Sequence, residues 1–311
     1  MADRNPWAGV GVALPSVDAF GEGSPVIEVA RAADAVGLDH VWAPDHLVFH
    51  RPILETTMTL ACVAGATERI RIGTAILNPA LRPVVWLAKQ LSTLDRLAPG
   101  RLLLGVGLGG EYEPEFRAAG VELKTRGRRL DEALELLPKL LAGEPVVHRG
   151  LFHVDCDGLA PAAHEMPPVL VGGRGEPAVR RAARIGDAWL PMWLDAAQIA
   201  RTRLQLEKAA TGAGRAAPGI ALVAFVNVCD DKTTGHAQAA QLIRRQYGMA
   251  YERVRRWTLV GTTTAIAERL AEYMDAGVEG FSLACAHPRP IEQLEALAEI
   301  RSQLAGPVAT P

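Results

Sequence analysis

The sequence is short of charge imbalance, of cysteine and of long apolar runs, and each lack removes a class of function. Its 33 Lys and Arg nearly balance 35 Asp and Glu, for a formal net charge of −2. With no long basic run, neither nucleic acid nor an anionic membrane surface is an expected partner. No stretch of about 20 apolar residues exists, so no membrane-spanning helix is expected. The start, MADRNPWAGVG, has no basic-then-apolar leader pattern. The four cysteines, Cys62, Cys156, Cys229 and Cys285, lie far apart and form no CxxC. That spacing speaks against a zinc ribbon or a disulfide framework and fits a reducing cytoplasm, with all four expected as buried neutral thiols. There is no GxSxG, HExxH or P-loop, no internal repeat and no low-complexity tract. His148, His153, Asp155 and Asp157 are loosely spaced and read as a solvated hairpin, so no metal is expected.

What is present is a long alternation of apolar strands and amphipathic helices. The 311 residues are 49% hydrophobic, enough for a sizeable core. The organising stretch runs from Arg69 to Glu111. An apolar run through Ile70, Ile72 and Leu77 ends at Asn78-Pro79, where proline removes a backbone donor. Val84 to Leu97 has helical spacing, and Pro99-Gly100 breaks it. Leu102 to Val106 is nearly continuous apolar sequence, as in a parallel strand buried on both faces. Further strands are expected at Val10–Leu14, Leu38–Ala43, Val169–Val171, Ala188–Pro191, Ile220–Val228 and Phe281–Cys285, with helices between them. Residues 143–165 read as an inserted loop or hairpin, and 234–257 as helical. Eight strands alternating with helices predict an α/β fold, a (β/α)8 TIM barrel in one domain spanning 1–311. An open doubly wound sheet is the other arrangement that periodicity allows.

Gly105-x-Gly107-x-x-Gly110 matches the dinucleotide fingerprint in letters only. It leads into Glu-Tyr-Glu-Pro rather than straight into a helix, and about 20 residues on, at Leu130-Asp131, the chain reads as helix. The plainer reading is a strand exit where backbone passes close to something bulky.

In a barrel, chemistry collects where strands end. That rule selects Asp45-His46, Thr74 to Asn78, Gly107 to Glu111, Gly172-Gly173 and Trp193. Asp45-His46 offers a carboxylate beside an imidazole able to exchange a proton near neutral pH. The same pair is also compatible with a turn in which Asp45 bonds local backbone. Glu111 and His50 are further candidate proton carriers. Gly172-Gly173-Arg174-Gly175 precedes a helix that starts with Pro177, so free N–H groups and a cation could bind a phosphate. A tight turn without a ligand is the alternative. Arg180, Arg181 and Arg184 read as a solvated helix face.

Together these segments resemble the luciferase-like monooxygenase superfamily, and within it the branch using the deazaflavin coenzyme F-420 (F420). The matching stretches are VWAPDH (41–46), IRIGTAILNPALRPVVWLAKQLSTLDRLAPGRLLLGVGLGG (70–110) and EFRAAGV (115–121). RGRRLDEALELL (126–137), PPVLVGGRGEPAVRRAARIGDAWLP (167–191) and LVGTTTAIAERLAEYMDAGVEGFSL (259–283) continue the match. The resemblance implies a barrel with inserted segments, usually a homodimer, with the cofactor over the strand C-termini. It implies that Asp45 meets the polar edge of the ring and that His46 stands near the reacting carbon or the substrate. It places a non-proline cis peptide at Ala75–Ile76, Asn78 against the ring or ribityl chain, and the phosphate on Gly172 and Gly173. Relatives that oxidise sugar phosphates carry a glutamate acid where this chain has Gly110, with Glu111 adjacent. His50 replaces an aromatic residue of those enzymes, so sugar-phosphate oxidation is not claimed.

The expected function is a cytoplasmic oxidoreductase moving a hydride between F-420 and a small organic substrate, with catalytic residues His46 and Glu111. An FMN-dependent monooxygenase fed by a separate reductase, and a non-catalytic flavin-binding barrel, are the alternatives. Deazaflavin lacks the ring nitrogen needed for normal flavin oxygen activation, so cofactor identity separates the first two.

Overall fold

Eight parallel strands close on themselves in the computed structural model, which describes residues 5–18, 25–110 and 112–305. The first half alternates β1 (Gly9–Ala13), α1 (Pro25–Ala35), β2 (His40–Ala43), α2 (Thr56–Ala66), β3 (Arg71–Thr74), α3 (Val84–Leu97) and β4 (Leu102–Val106). A short α4 (Glu113–Ala118) and a long α5 (Arg126–Leu141) follow. Then come β5 (Val146–Arg149), β6 (His153–Cys156), β7 (Val169–Gly172), α6 (Glu176–Ile185), β8 (Ala188–Leu190) and α7 (Ala196–Gly212). The chain ends with β9 (Gly219–Val228), α8 (Lys232–Tyr247), β10 (Thr258–Gly261), α9 (Thr263–Asp275), β11 (Gly280–Cys285) and α10 (Leu294–Leu304). The barrel order is β1-β2-β3-β4-β7-β8-β9-β11, with β11 returning to β1 through parallel pairing. The open-sheet alternative is thereby excluded. The tail GPVATP lies outside the described residues.

The helical periods expected from sequence are the ones that pack. Leu130, Leu134, Leu137 and Leu141 of α5 are buried in the helix–sheet core, and burying such a side chain stabilises by about 1.5–3 kcal/mol. Asp195 caps α7 through a capping box with Gln198. Thr125 stands at the cap position of α5, but its hydroxyl donates to Glu122 O instead. Residues 143–165 contain the antiparallel hairpin β5–β6, with Val146 opposite Cys156 and Arg149 opposite His153. Glu132 of α5 holds its turn, accepting from the Phe152 and Leu151 N–H groups and bonding the His148 ring at 2.6 Å. Among the described residues no cluster has the composition of a metal site. No helix there is long and apolar enough to cross a membrane.

Three expectations need correction. Only Cys285 is buried; Cys62 is exposed, and Cys156 and Cys229 are half-buried. Arg181 is not solvated: it is 8% exposed and bonds Asp131 of α5 at 2.8 Å, with Arg184 joining the same carboxylate. The stretch expected as helical over 234–257 is α8 to Tyr247 and then two 3-10 turns, Tyr251–Arg253 and Arg255–Trp257, but an unexpected strand, β10, follows. β9 pairs with β8 at Gly219 and Ile220, then with β10 from Phe225 to Val228. Its ten residues span about 33 Å, more than a barrel wall needs. The excess carries α8 and β10 as an extra layer at the strand C-terminal end.

The other end is plugged. Trp42 lies inside the barrel, and Gly73 is required there, because a Cβ would stand 2.5 Å from the Trp42 ring. Trp42 Nε1 donates to His40 Nδ1 at 3.0 Å, and His40 Nε2 reaches Trp7 O at 3.1 Å. Burial pushes His40 down to about 4, so it is a neutral core residue at physiological pH.

Candidate active site

The open end of the barrel is built around Ile76. The Ala75–Ile76 peptide is cis, at the bond the resemblance indicated. A Cβ on Gly107 would meet Ile76 Cδ1 at 2.2 Å, and one on Gly172 would meet Ile76 Cγ2 at 2.7 Å. The bulky object behind the glycine-rich strand exit is therefore the Ile76 side chain. Half-buried, it forms an apolar floor flanked by two glycines. Thr74 supports it from below, its hydroxyl donating to Gly105 O at 2.6 Å.

Asp45 and Asn78 fasten this floor. Asp45 is 4% exposed. It accepts from the Asn78 N–H at 2.9 Å and from Arg82 Nη2 at 2.7 and 2.8 Å. Asn78 Nδ2 donates to Leu108 O at 3.0 Å, and its Oδ1 accepts from the Ala80 N–H. Both side chains expected to touch a ring are thus engaged within the protein, tying the β2, β3 and β4 exits together. The local-turn reading does not describe Asp45, whose partners are 33 and 37 residues away.

His46 has a partner that sequence reasoning did not name. Its Nδ1 lies 3.2 and 3.3 Å from the two oxygens of Glu115, on the first turn of α4. Glu115 is fully buried and also accepts the Leu47 N–H at 2.7 Å. A carboxylate accepts, so Nδ1–H is the donor of this pair, and Nε2 has no hydrogen-bond partner among the described residues. Phe49 stacks on the imidazole with ring centroids 4.1 Å apart. The nearest cue in the sequence was an acid next to the buried Phe116, just after the β4 glycines. The expected acid Glu111 lies outside the described residues. His50 is exposed and packs on Tyr112, with centroids 4.5 Å apart.

Across the mouth, β7 ends in Gly172, and Gly173 has φ +113. A Cβ there would stand 2.8 Å from Ala178 Cβ, so the position accepts only glycine. Gly173 O accepts from Trp189 Nε1 at 2.6 Å, which fixes the loop. Helix α6 starts at Glu176 without a side-chain cap; Pro177 has no N–H and the Ala178 N–H donates to Gly175 O at 2.9 Å, so only the N–H groups ahead of Pro177 can face an anion. Arg174 sits over the Trp193 ring at 5.6 Å. The extra layer contributes Tyr247, whose ring meets Phe49 at 6.0 Å and Trp193 at 5.6 Å. Burial pushes the Tyr247 phenol up to about 12, so it stays neutral.

A closed (β/α)8 barrel with its polar groups gathered at the strand C-termini is the architecture of a small-molecule enzyme. The chain belongs to the luciferase-like monooxygenase family, whose model matches residues 15–280. An uncharacterized protein of Mycobacterium tuberculosis is 28% identical over 213 residues, covering 62% of this chain and 73% of that protein. The F420-dependent glucose-6-phosphate dehydrogenase of Kineococcus radiotolerans is 34% identical over 185 residues. That match covers 56% of this chain and 54% of the enzyme, about half of each. Among solved structures, an F420-dependent secondary alcohol dehydrogenase in complex with an F420-acetone adduct superposes with a TM-score of 0.84 at 19% identity. It covers 96% of this chain and 99% of that one, a likeness of fold.

Proposed function

We propose that this chain is an oxidoreductase that moves a hydride between coenzyme F420 and a small organic substrate. The observation that carries the reading is the pairing of His46 with the buried Glu115 at the mouth of a luciferase-like barrel. The relatives named for F420 support the choice of cofactor. The residues fit such a group. The Gly173 loop exposes backbone that no side chain covers, since its φ of +113 and the nearby Ala178 admit only glycine; the α6 N-terminus has no side-chain cap, and Arg174 has no carboxylate partner among the described residues. Ile76 offers an apolar bed between Gly107 and Gly172 for a flat ring. Asp45 and Asn78 act indirectly, by holding that bed.

When bound, F420 supplies the hydride carrier. The chain supplies the proton path. Glu115 fixes the imidazole with hydrogen on Nδ1, so the Nε2 lone pair can take the hydroxyl proton as an alcohol becomes a carbonyl. In the reverse direction the protonated ring returns that proton to the carbonyl oxygen. Phe49 covers one face of the imidazole and limits water there, and Tyr247 backs Phe49 edge-on.

Titration of the purified protein with F420 and FMN, each oxidised and reduced, tests the reading. Tighter binding of F420 is expected. Gly173→Asp, which adds a side chain and a negative charge to the cradle, is expected to weaken F420 binding at least about tenfold, or 1.4 kcal/mol. Preference for FMN would transfer the site to a flavin monooxygenase. Unchanged affinity in the folded variant would remove the cradle from the account.

A further inference from the structure

Trp193 gathers three unusual features in one residue. Its backbone has φ +57, a left-handed conformation that is an outlier for a bulky side chain. Its indole Nε1 is buried without a hydrogen-bond partner. Its ring is held by other rings instead, stacked on Phe225 with centroids 6.4 Å apart and edge-on to Tyr247 at 5.6 Å. Two local penalties at one residue beside the site mark a position kept for function rather than for stability. No hydrogen bond fixes the indole, so packing alone sets the ring's position.

The surroundings have the same character. Phe49 and Tyr247 continue the wall toward His46, and Tyr112 lies beyond His50. Tyr247 remains a neutral phenol. Four arginines near this rim already face carboxylates. Arg51 and Arg245 both bond Asp18, at 3.0 and 2.7 Å, and Arg82 bonds Asp45. Arg289, after β11, bonds Glu292 at 2.8 Å. Arg174 is turned over the outer face of Trp193 beside the phosphate cradle. A phosphorylated substrate needs a cation or a nest of N–H groups of its own; four of these arginines are engaged, and Arg174 is assigned to the cofactor phosphate.

We propose that the substrate is an uncharged molecule with a flat apolar face, and that Trp193 is the residue that selects it. This rests on the F420 reading of the same mouth, and it separates the chain from relatives whose names specify a sugar phosphate. The substrate packs its apolar face on the Trp193 wall and turns its oxygen toward His46 Nε2. Selection comes from area and shape complementarity rather than charge, so its affinity is insensitive to salt.

The test uses protein loaded with F420 and two probes, acetophenone and glucose 6-phosphate, titrated calorimetrically at low and high salt. Acetophenone is expected to bind at least about tenfold more tightly than glucose 6-phosphate, with no salt dependence. On protein saturated with F420, Trp193→Ala is expected to weaken acetophenone about tenfold, and Trp193→Phe to restore most of the loss. Equal or tighter binding of glucose 6-phosphate overturns the proposal, as does acetophenone binding that is absent or unmoved by Trp193→Ala. Failure to load F420 is a different outcome: it defeats the functional reading itself and shows before either probe is added.

Discussion

Glu115→Gln is the substitution that most sharply separates a working pair from a packing contact. The side chains are nearly the same shape, so the fully buried site is not emptied. The Gln carbonyl can still accept the Leu47 N–H, now 2.7 Å from Oε1. Its amide then faces His46 Nδ1, where an oxygen stood 3.3 Å away. An amide donates, so Nδ1 must accept, and the imidazole hydrogen moves to Nε2. The nitrogen proposed to take the substrate proton is then blocked. Loss of a positioned base of this kind lowers turnover by about 10²–10⁴-fold. The stability loss is smaller, about 1–3 kcal/mol for a hydrogen bond to a charged acceptor that is replaced rather than left vacant. Nitrogen-15 spectra of the His46 ring report the tautomer, and steady-state kinetics the turnover. His46→Ala combined with Glu115→Gln is expected to be no slower than His46→Ala alone, because the two residues act as a unit. Turnover within about threefold of wild type, or an unchanged His46 tautomer, refutes the reasoning.

Two further outcomes follow from the fold. Asp45→Ala leaves the Asn78 N–H without its buried acceptor and Arg82 with only the Glu55 carboxylate at 3.6 Å, and breaking a buried pair costs at most about 3–5 kcal/mol. F420 affinity is expected to fall with it, through the displaced Ile76 floor; chemical denaturation and cofactor titration check both, and an unchanged unfolding midpoint contradicts the role given to Asp45. His40 is lowered from 6.5 to about 4; its neutral form is the native one, so its contribution is full above pH 6.5 and is lost as pH falls toward 4. The size is roughly 3 kcal/mol, and the window is separable from Asp34 and Asp39, whose lowered values place their losses below 3.8. Urea midpoints that stay level between pH 7 and about 4.5 contradict this assignment.

The barrel was legible because its strands are continuous apolar runs. β4 is LLLGV with every residue buried, and such a run has few other homes. The hairpin between α5 and β7 was legible by the absence of helical spacing. β10 was not, since four residues, TLVG, after a helix-like stretch carry no period of their own. It exists because β9 overshoots the wall and presents an unpaired edge. At the site, proximity to a strand end located His46 and the Gly172 loop. Glu115 escaped because its partner is 69 residues away and its own neighbourhood reads as an ordinary acidic helix start. Asp45 and Asn78 were selected as positions, but their bonds to Arg82 and Leu108 are tertiary facts that spacing does not encode. Arg181 shows the same limit: helical spacing put it on a face, and only Asp131 of α5 shows that the face is covered.

The central claim is that His46 carries the proton that accompanies hydride transfer from F420. It is tested most directly by a single-turnover experiment on protein loaded with reduced F420. The cofactor's oxidation by a verified substrate is followed by absorbance in wild type and in His46→Ala, with F420 affinity measured in the same preparations. The account predicts a rate lowered by about 10²–10⁴-fold with affinity nearly unchanged. Oxidation of the reduced cofactor at the wild-type rate in His46→Ala would contradict it.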